Sequence, residues 1–230
     1  MSSAKHGLLI ALMLALPVFA HAKSKPHAVA LGAVHREPYS AQGDPAGAQK
    51  DETALNVRPL VVDGKVKEWT TGDVHAVTER SFTVRRAVRL NDSLPTDKSP
   101  RWVWQRGPWL LIDRETGKIT ALHLPDFDPG VSQVVWFRDY AAYCGLTATH
   151  KELFAVVAQI AARRPLLAKK LAPWNVSDSP SPACAPAIWQ REPLKVSFQP
   201  TGAAAAVSFD LVGASAVLVE DNDSDSDNTQ

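Results

Sequence analysis

The sequence lacks most of the signals by which an enzyme declares itself. It holds no H-E-x-x-H, no G-x-S-x-G, no Walker loop and no G-x-G-x-x-G. That leaves open a site assembled from distant residues, and it removes every reading carried by a local motif. Charge of one sign is also scarce. The formal net charge is +1, so the basic footprint of a nucleic-acid binder is missing and no nucleic-acid partner is expected. Cysteine is limited to Cys144 and Cys184, without C-x-x-C or C-x-x-C-H. The longest apolar run near the start, Leu8 to Phe19, is too short to span a bilayer comfortably, and no second long run follows.

What is present begins with an address. Lys5 and His6 precede that apolar run, and Ala20-His21-Ala22 offers small residues at the positions a signal peptidase checks. Residues 1–22 read as a cleaved secretory signal, giving a periplasmic or extracellular protein with no membrane span after cleavage. Lys5 is the only charged residue in that segment, so its removal brings the net charge to zero. In an oxidising compartment the two cysteines are expected to form one disulfide. Closing a loop of about 40 residues contributes on the order of 4 kcal/mol in the chain-entropy account.

Residues 23–54 are rich in proline, glycine and small or charged residues and read as poorly ordered. Residues 55–219 read as a single mainly β domain. Asp63-Gly64 between two β-forming runs is a two-residue hairpin signal, since both turn positions need positive φ. "SFTVRRAVRLN", residues 81 to 91, alternates with period two, so its arginines are expected on a solvated face. Trp102 and Trp104 sit on a strand that Gly107-Pro108 is expected to break. A second hairpin follows around "RETG", with Gly117 in the left-handed position. The three tryptophans Trp102, Trp104 and Trp109 raise the question of sugar stacking, and core packing is the preferred reading.

"VSQVVWFRDYAAYCG" sets Arg138-Asp139 among aromatics. A strand running straight through would bury one unpaired charge on each face, which is costly. A tight turn there is therefore expected. Residues 150–163 carry two signals: Thr149 with Glu152 forms a capping box, yet Leu153 to Ile160 is a continuous apolar run. Strand–turn–strand is preferred, with one helix near 150–163 as the alternative. A Pro/Ser-rich crossing spans 173–187, and "LKVSFQP" with "AAVSFDLVG" reads as a third hairpin. Residues 220–230 read as an acidic disordered tail without the glycine and glutamate of a calcium loop.

The fold class is mainly β, built from antiparallel hairpins or a meander. In outline this is similar to propeller blades, and a sandwich fits as well. The candidate catalytic residues are Asp126 and Asp128 in "LPDFDPG", with His123 nearby; as D-P and P-D pairs the two aspartates also suit turn initiation. No cofactor and no metal are expected. A zinc set of Cys144, His150 and Cys184 has the wrong spacing. The reading is an exported, non-enzymatic binding or structural protein with an unidentified protein, small-molecule or glycan partner. The alternative is an envelope or extracellular hydrolase using Asp126 and Asp128.

Overall fold

The computed structural model describes residues 26–49, 51–160, 162–174, 182–212 and 215–219. The expected signal segment, the middle of the 173–187 crossing and the acidic tail lie outside them. The chain folds into three antiparallel sheets. The first holds β1 (Val29–Leu31), β2 (His35–Pro38), β3 (Ala54–Val62), β4 (Lys65–Ala76), β5 (Ser81–Asn91), β6 (Trp102–Asp113) and β7 (Ile119–Ala121). The second holds β8 (Val135–Phe137), β9 (Tyr140–Leu146), β10 (Glu152–Gln159) and β11 (Leu167–Pro173). The third holds β12 (Ile188–Gln190), β13 (Lys195–Phe198), β14 (Val207–Val212) and β15 (Ser215–Val219).

The turn chemistry places the hairpins. Asp63 and Gly64 take φ of 52° and 74°, and Val62 pairs with Lys65 across them. Gly117 takes φ of 63° between β6 and β7. Arg138-Asp139 forms the two-residue turn between β8 and β9, with Phe137 paired to Tyr140. Arg138 stands at φ 52°, a position that glycine or asparagine fills more readily.

Three expectations need correction. The segment 23–54 carries two short strands: β1 pairs with the end of β3, Leu60 to Val62, and β2 with its start, Ala54 to Val57. These short strands are held by backbone bonds to β3, which leave no side-chain periodicity to read. The helix alternative over 150–163 does not form, because β10 runs through it. The apolar run of β10 is continuous because both of its faces are covered. Gly107-Pro108 does not break a strand. Ala87 pairs with Arg106 and Arg85 with Trp109, so Gly107 and Pro108 together oppose Arg86 as a bulge inside β6. A Cβ on Gly107 would lie 2.7 Å from Val88 Cγ2. Finally, Arg85 is buried rather than solvated.

The second and third sheets pack face to face as a sandwich. Ala142, Cys144, Leu153 and Val157 meet Val196, Phe198, Phe209 and Leu211 in one cluster. Cys144 and Cys184 are disulfide-bonded within it, each 1% exposed. On its other face the second sheet buries Ala141, Tyr143, Val156 and Ala158 under Leu124, Phe127 and Trp136. The first sheet has its own clusters, one around Phe82, Leu110 and Ile112 and one around Tyr39, Leu55 and Trp104.

Candidate functional site: the cleft between the first sheet and the sandwich

Arg85 sits on β5 between two irregularities. On one side the β6 bulge turns the Gly107 carbonyl so that it accepts from Arg85 Nε. On the other, Thr71 pairs with Arg85 and His75 with Thr83, so Gly72, Asp73 and Val74 of β4 loop out opposite Val84. Gly72 makes this possible at φ 72°, and its carbonyl accepts from Arg58 Nη2 at 2.9 Å. Bulges re-aim side chains, and they gather next to sites.

Asp44 reaches the same place from the segment between two short 3-10 turns, Ala41–Gly43 and Pro45–Gly47. Its Oδ1 accepts from the Gly47 N–H at 3.1 Å, capping the second turn. Its Oδ2 lies 3.0 Å from Arg85 Nη2, with side-chain exposures of only 3% and 10%. Burial raises the Asp44 carboxyl above its ordinary value, against the pull of Arg85. Burial likewise lowers the Arg85 guanidinium, and Asp44 opposes that. A second pair lies beside the first: Arg106 Nη2 donates to both Glu52 oxygens at 2.8 and 3.0 Å, and Arg106 Nη1 donates to Tyr39 Oη. Burial raises the Tyr39 hydroxyl, with Arg106 opposing.

Arg85, Arg106, Asp44 and Asp73 line a cavity of about 390 Å³ together with Trp109 of β6 and Trp136 of β8. The two indoles meet edge to face at 5.3 Å, and His75 stacks on Trp136 at 5.9 Å. Gln133 Nε2 donates to the Ala46 carbonyl at 2.7 Å, tying the second sheet's entry loop to the first sheet's turn. The indole N–H groups of Trp109 and Trp136 are shielded from solvent and have no acceptor among the described residues. A shielded donor without a partner costs about 1–3 kcal/mol. The wall therefore offers aromatic faces and two cations paired with Asp44 and Glu52.

The residues singled out in the sequence are elsewhere. Asp128 Oδ1 accepts from the Gly130 N–H at 2.7 Å, the turn-forming bond expected of its type. Asp126 stands exposed at φ 56°, and its carbonyl accepts from the Leu146 N–H at 2.9 Å. His123 lines a separate cavity of about 210 Å³ with Pro125 and Trp136, and neither aspartate lines it. Trp104 is in the core against Trp69, whereas Trp102 is 46% exposed under the Arg89 guanidinium. Among the described residues no three His, Cys, Asp or Glu side chains gather as a metal site. The cysteines of the zinc alternative are spent in the disulfide. Sequence reasoning missed Asp44, Arg85 and Arg106. The one usable signal was Gly107-Pro108, because glycine inside a strand pattern marks a bulge.

These features define a mainly β protein: a seven-stranded antiparallel sheet beside a disulfide-bonded sandwich, with a cleft between them. In comparisons with known proteins the chain matches no family model, no curated protein and no solved structure. No helix among the described residues is long and apolar enough to cross a membrane.

Proposed function

We propose that this is an exported, non-enzymatic binding protein whose ligand occupies the cleft between the first sheet and the sandwich. The observation that carries it is Arg85, held between two strand irregularities at the wall of a cavity that Trp109 and Trp136 also line. Building two bulges and burying a charge there is costly for a mere packing contact. Aromatic faces beside charged, hydrogen-bonding side chains suit a ligand with a flat apolar side and many oxygens, which describes a saccharide. The disulfide fits an oxidising compartment.

Two tryptophans at the wall make the test direct. Neutral and acidic oligosaccharides are titrated into the mature protein while its intrinsic fluorescence is followed. Saturable quenching in the wild type, with an affinity measured by calorimetry that falls in Trp136→Ala, which removes the aromatic face, supports the reading. Absence of any saturable change across the panel sinks it. The hydrolase alternative on Asp126, Asp128 and His123 has less support, since Asp128 is engaged in a turn bond and His123 faces another cavity. It requires Asp126→Asn or Asp128→Asn to abolish a measurable hydrolysis while leaving Tm nearly unchanged.

A further inference from the structure

Next to the cleft lies a second cavity, of about 410 Å³, which shares His75 and Trp136 with it. Its wall is cationic. Arg138 and Arg191 both line it, together with Phe137. Their guanidinium carbons lie 5.2 and 5.9 Å from the Phe137 ring centroid. Neither arginine forms an ion pair among the described residues, whereas Arg80, Arg85, Arg86 and Arg106 each do. The adjacent carboxylate, Asp139, is turned to Gln159, whose Nε2 donates to it at 2.7 Å. Two exposed guanidiniums near one ring, with no carboxylate paired to either among the described residues, are placed to meet an anion together.

The backbone supports the same conclusion. Arg138 occupies the first position of a two-residue turn at φ 52°, where a glycine or asparagine would sit with less strain. Strain kept at an exposed position points to a use for the side chain. The turn is also pinned from outside its own sheet. Its Arg138 carbonyl accepts from His75 Nε2–H at 2.6 Å, which fixes the imidazole with that nitrogen protonated. Phe137 is held from behind by Trp189, stacked at 5.3 Å, and Trp189 Nε1 donates to the Val135 carbonyl at 3.1 Å. The two cations therefore stand on a braced aromatic platform, one step along the surface from the cleft.

We infer that this second cavity is an anion subsite, and that the ligand of the cleft is an acidic saccharide whose carboxylate or sulfate lies between Arg138 and Arg191. Planar guanidiniums match both groups in geometry. This rests on the cleft being a saccharide site, and the experiment separates the two ideas. Three hexasaccharides on one backbone are titrated: unsulfated chondroitin, chondroitin sulfate, and carboxyl-reduced unsulfated chondroitin. The proteins are the wild type, Arg138→Gly, Arg191→Ala, and Arg101→Ala as a cation distant from the cavity.

The expected result is at least a tenfold preference of the wild type for an acidic chain over the neutral one. That preference falls to about one in the Arg138→Gly/Arg191→Ala double variant and persists in Arg101→Ala. Arg138→Gly also holds or raises Tm, because glycine relaxes the turn, so its loss of preference is not unfolding. Preference for the unsulfated acidic chain assigns the carboxylate, and preference for the sulfated chain alone assigns the sulfate. Equal binding of acidic and neutral chains overturns the anion subsite and leaves the cleft reading standing. Binding of none of the three overturns both.

Discussion

Removing one member of the Asp44–Arg85 pair should destabilise the protein far more than removing both. Asp44→Ala leaves a guanidinium that is 10% exposed and without a carboxylate partner, facing the Gly107 carbonyl, the rings of Trp109 and Phe127, and the like charge of Arg106. An uncompensated buried charge costs about 3–5 kcal/mol. The lost cap to Gly47 adds about 1 kcal/mol. Arg85→Met costs up to about 3–5 kcal/mol, because the buried Asp44 carboxylate loses its ion-pair partner and keeps its Gly47 bond and the weaker pull of Arg106. The double variant Asp44→Ala/Arg85→Met removes both charges and roughly keeps the arginine's apolar volume. It should lose little beyond the cap, about 1–2 kcal/mol. The coupling between the two sites is then several kcal/mol. Asp44→Asn separates the terms, since its amide oxygen still accepts from Gly47. The assay is equilibrium urea unfolding at neutral pH with the disulfide intact, followed by tryptophan fluorescence. With a total stability of about 5–15 kcal/mol, the single variants sit near the edge of folding. Additive losses, or an Asp44→Ala variant within 1 kcal/mol of wild type, would refute the reasoning and mean that water screens the pair.

Other outcomes follow from the same structure. Replacing both Cys144 and Cys184 by alanine should cost about 4 kcal/mol in urea unfolding, from reopening a loop of 40-residue separation; a loss under 1 kcal/mol would show that the sandwich core alone holds the crossing. Arg80 hydrogen-bonds Asp113 and holds its carboxyl down at about 2, below its unfolded value of 3.8. The folded state thus binds this proton less readily than the unfolded chain, so its contribution is present above pH 4 and is lost as pH falls toward 2. Asp113→Asn should flatten the stability–pH profile in that window only, and an unchanged slope there would count against it. Asp128→Ala, which removes the acceptor of the Gly130 N–H, should lower stability by about 1 kcal/mol; an unchanged Tm would remove the turn-forming assignment.

Local chemistry made much of this fold legible. Asp63-Gly64 and Gly117 announce their turns because few residues accept positive φ. The Arg138-Asp139 turn followed from a desolvation argument alone, despite its poor turn sequence. The disulfide followed from an even cysteine count, and the strands at 81–91 and 195–212 from β-forming runs. The ambiguity at 150–163 has a physical cause. Leu153, Ala155 and Val157 face the third sheet, while Val156 and Ala158 face the cluster around Tyr143, so a strand covered on both faces shows no alternation.

The cleft was out of reach for a different reason. Alternation sorts residues by face, and it assigned Arg85 to water because it could not know that the first sheet's second face meets the sandwich there. Burial of Asp44 and Arg85, with Arg106 beside them, depends on which sheets touch, and that is a property of long-range contacts. The sequence by itself determined where the chain turns, which stretches form strands and which thiols pair, since each is settled by neighbours along the chain or by simple counting. Only the tertiary structure decided which strand faces are covered, where the bulges aim Arg85 and which charges share a cavity, because sequence periodicity records a residue's face and never what is packed against it.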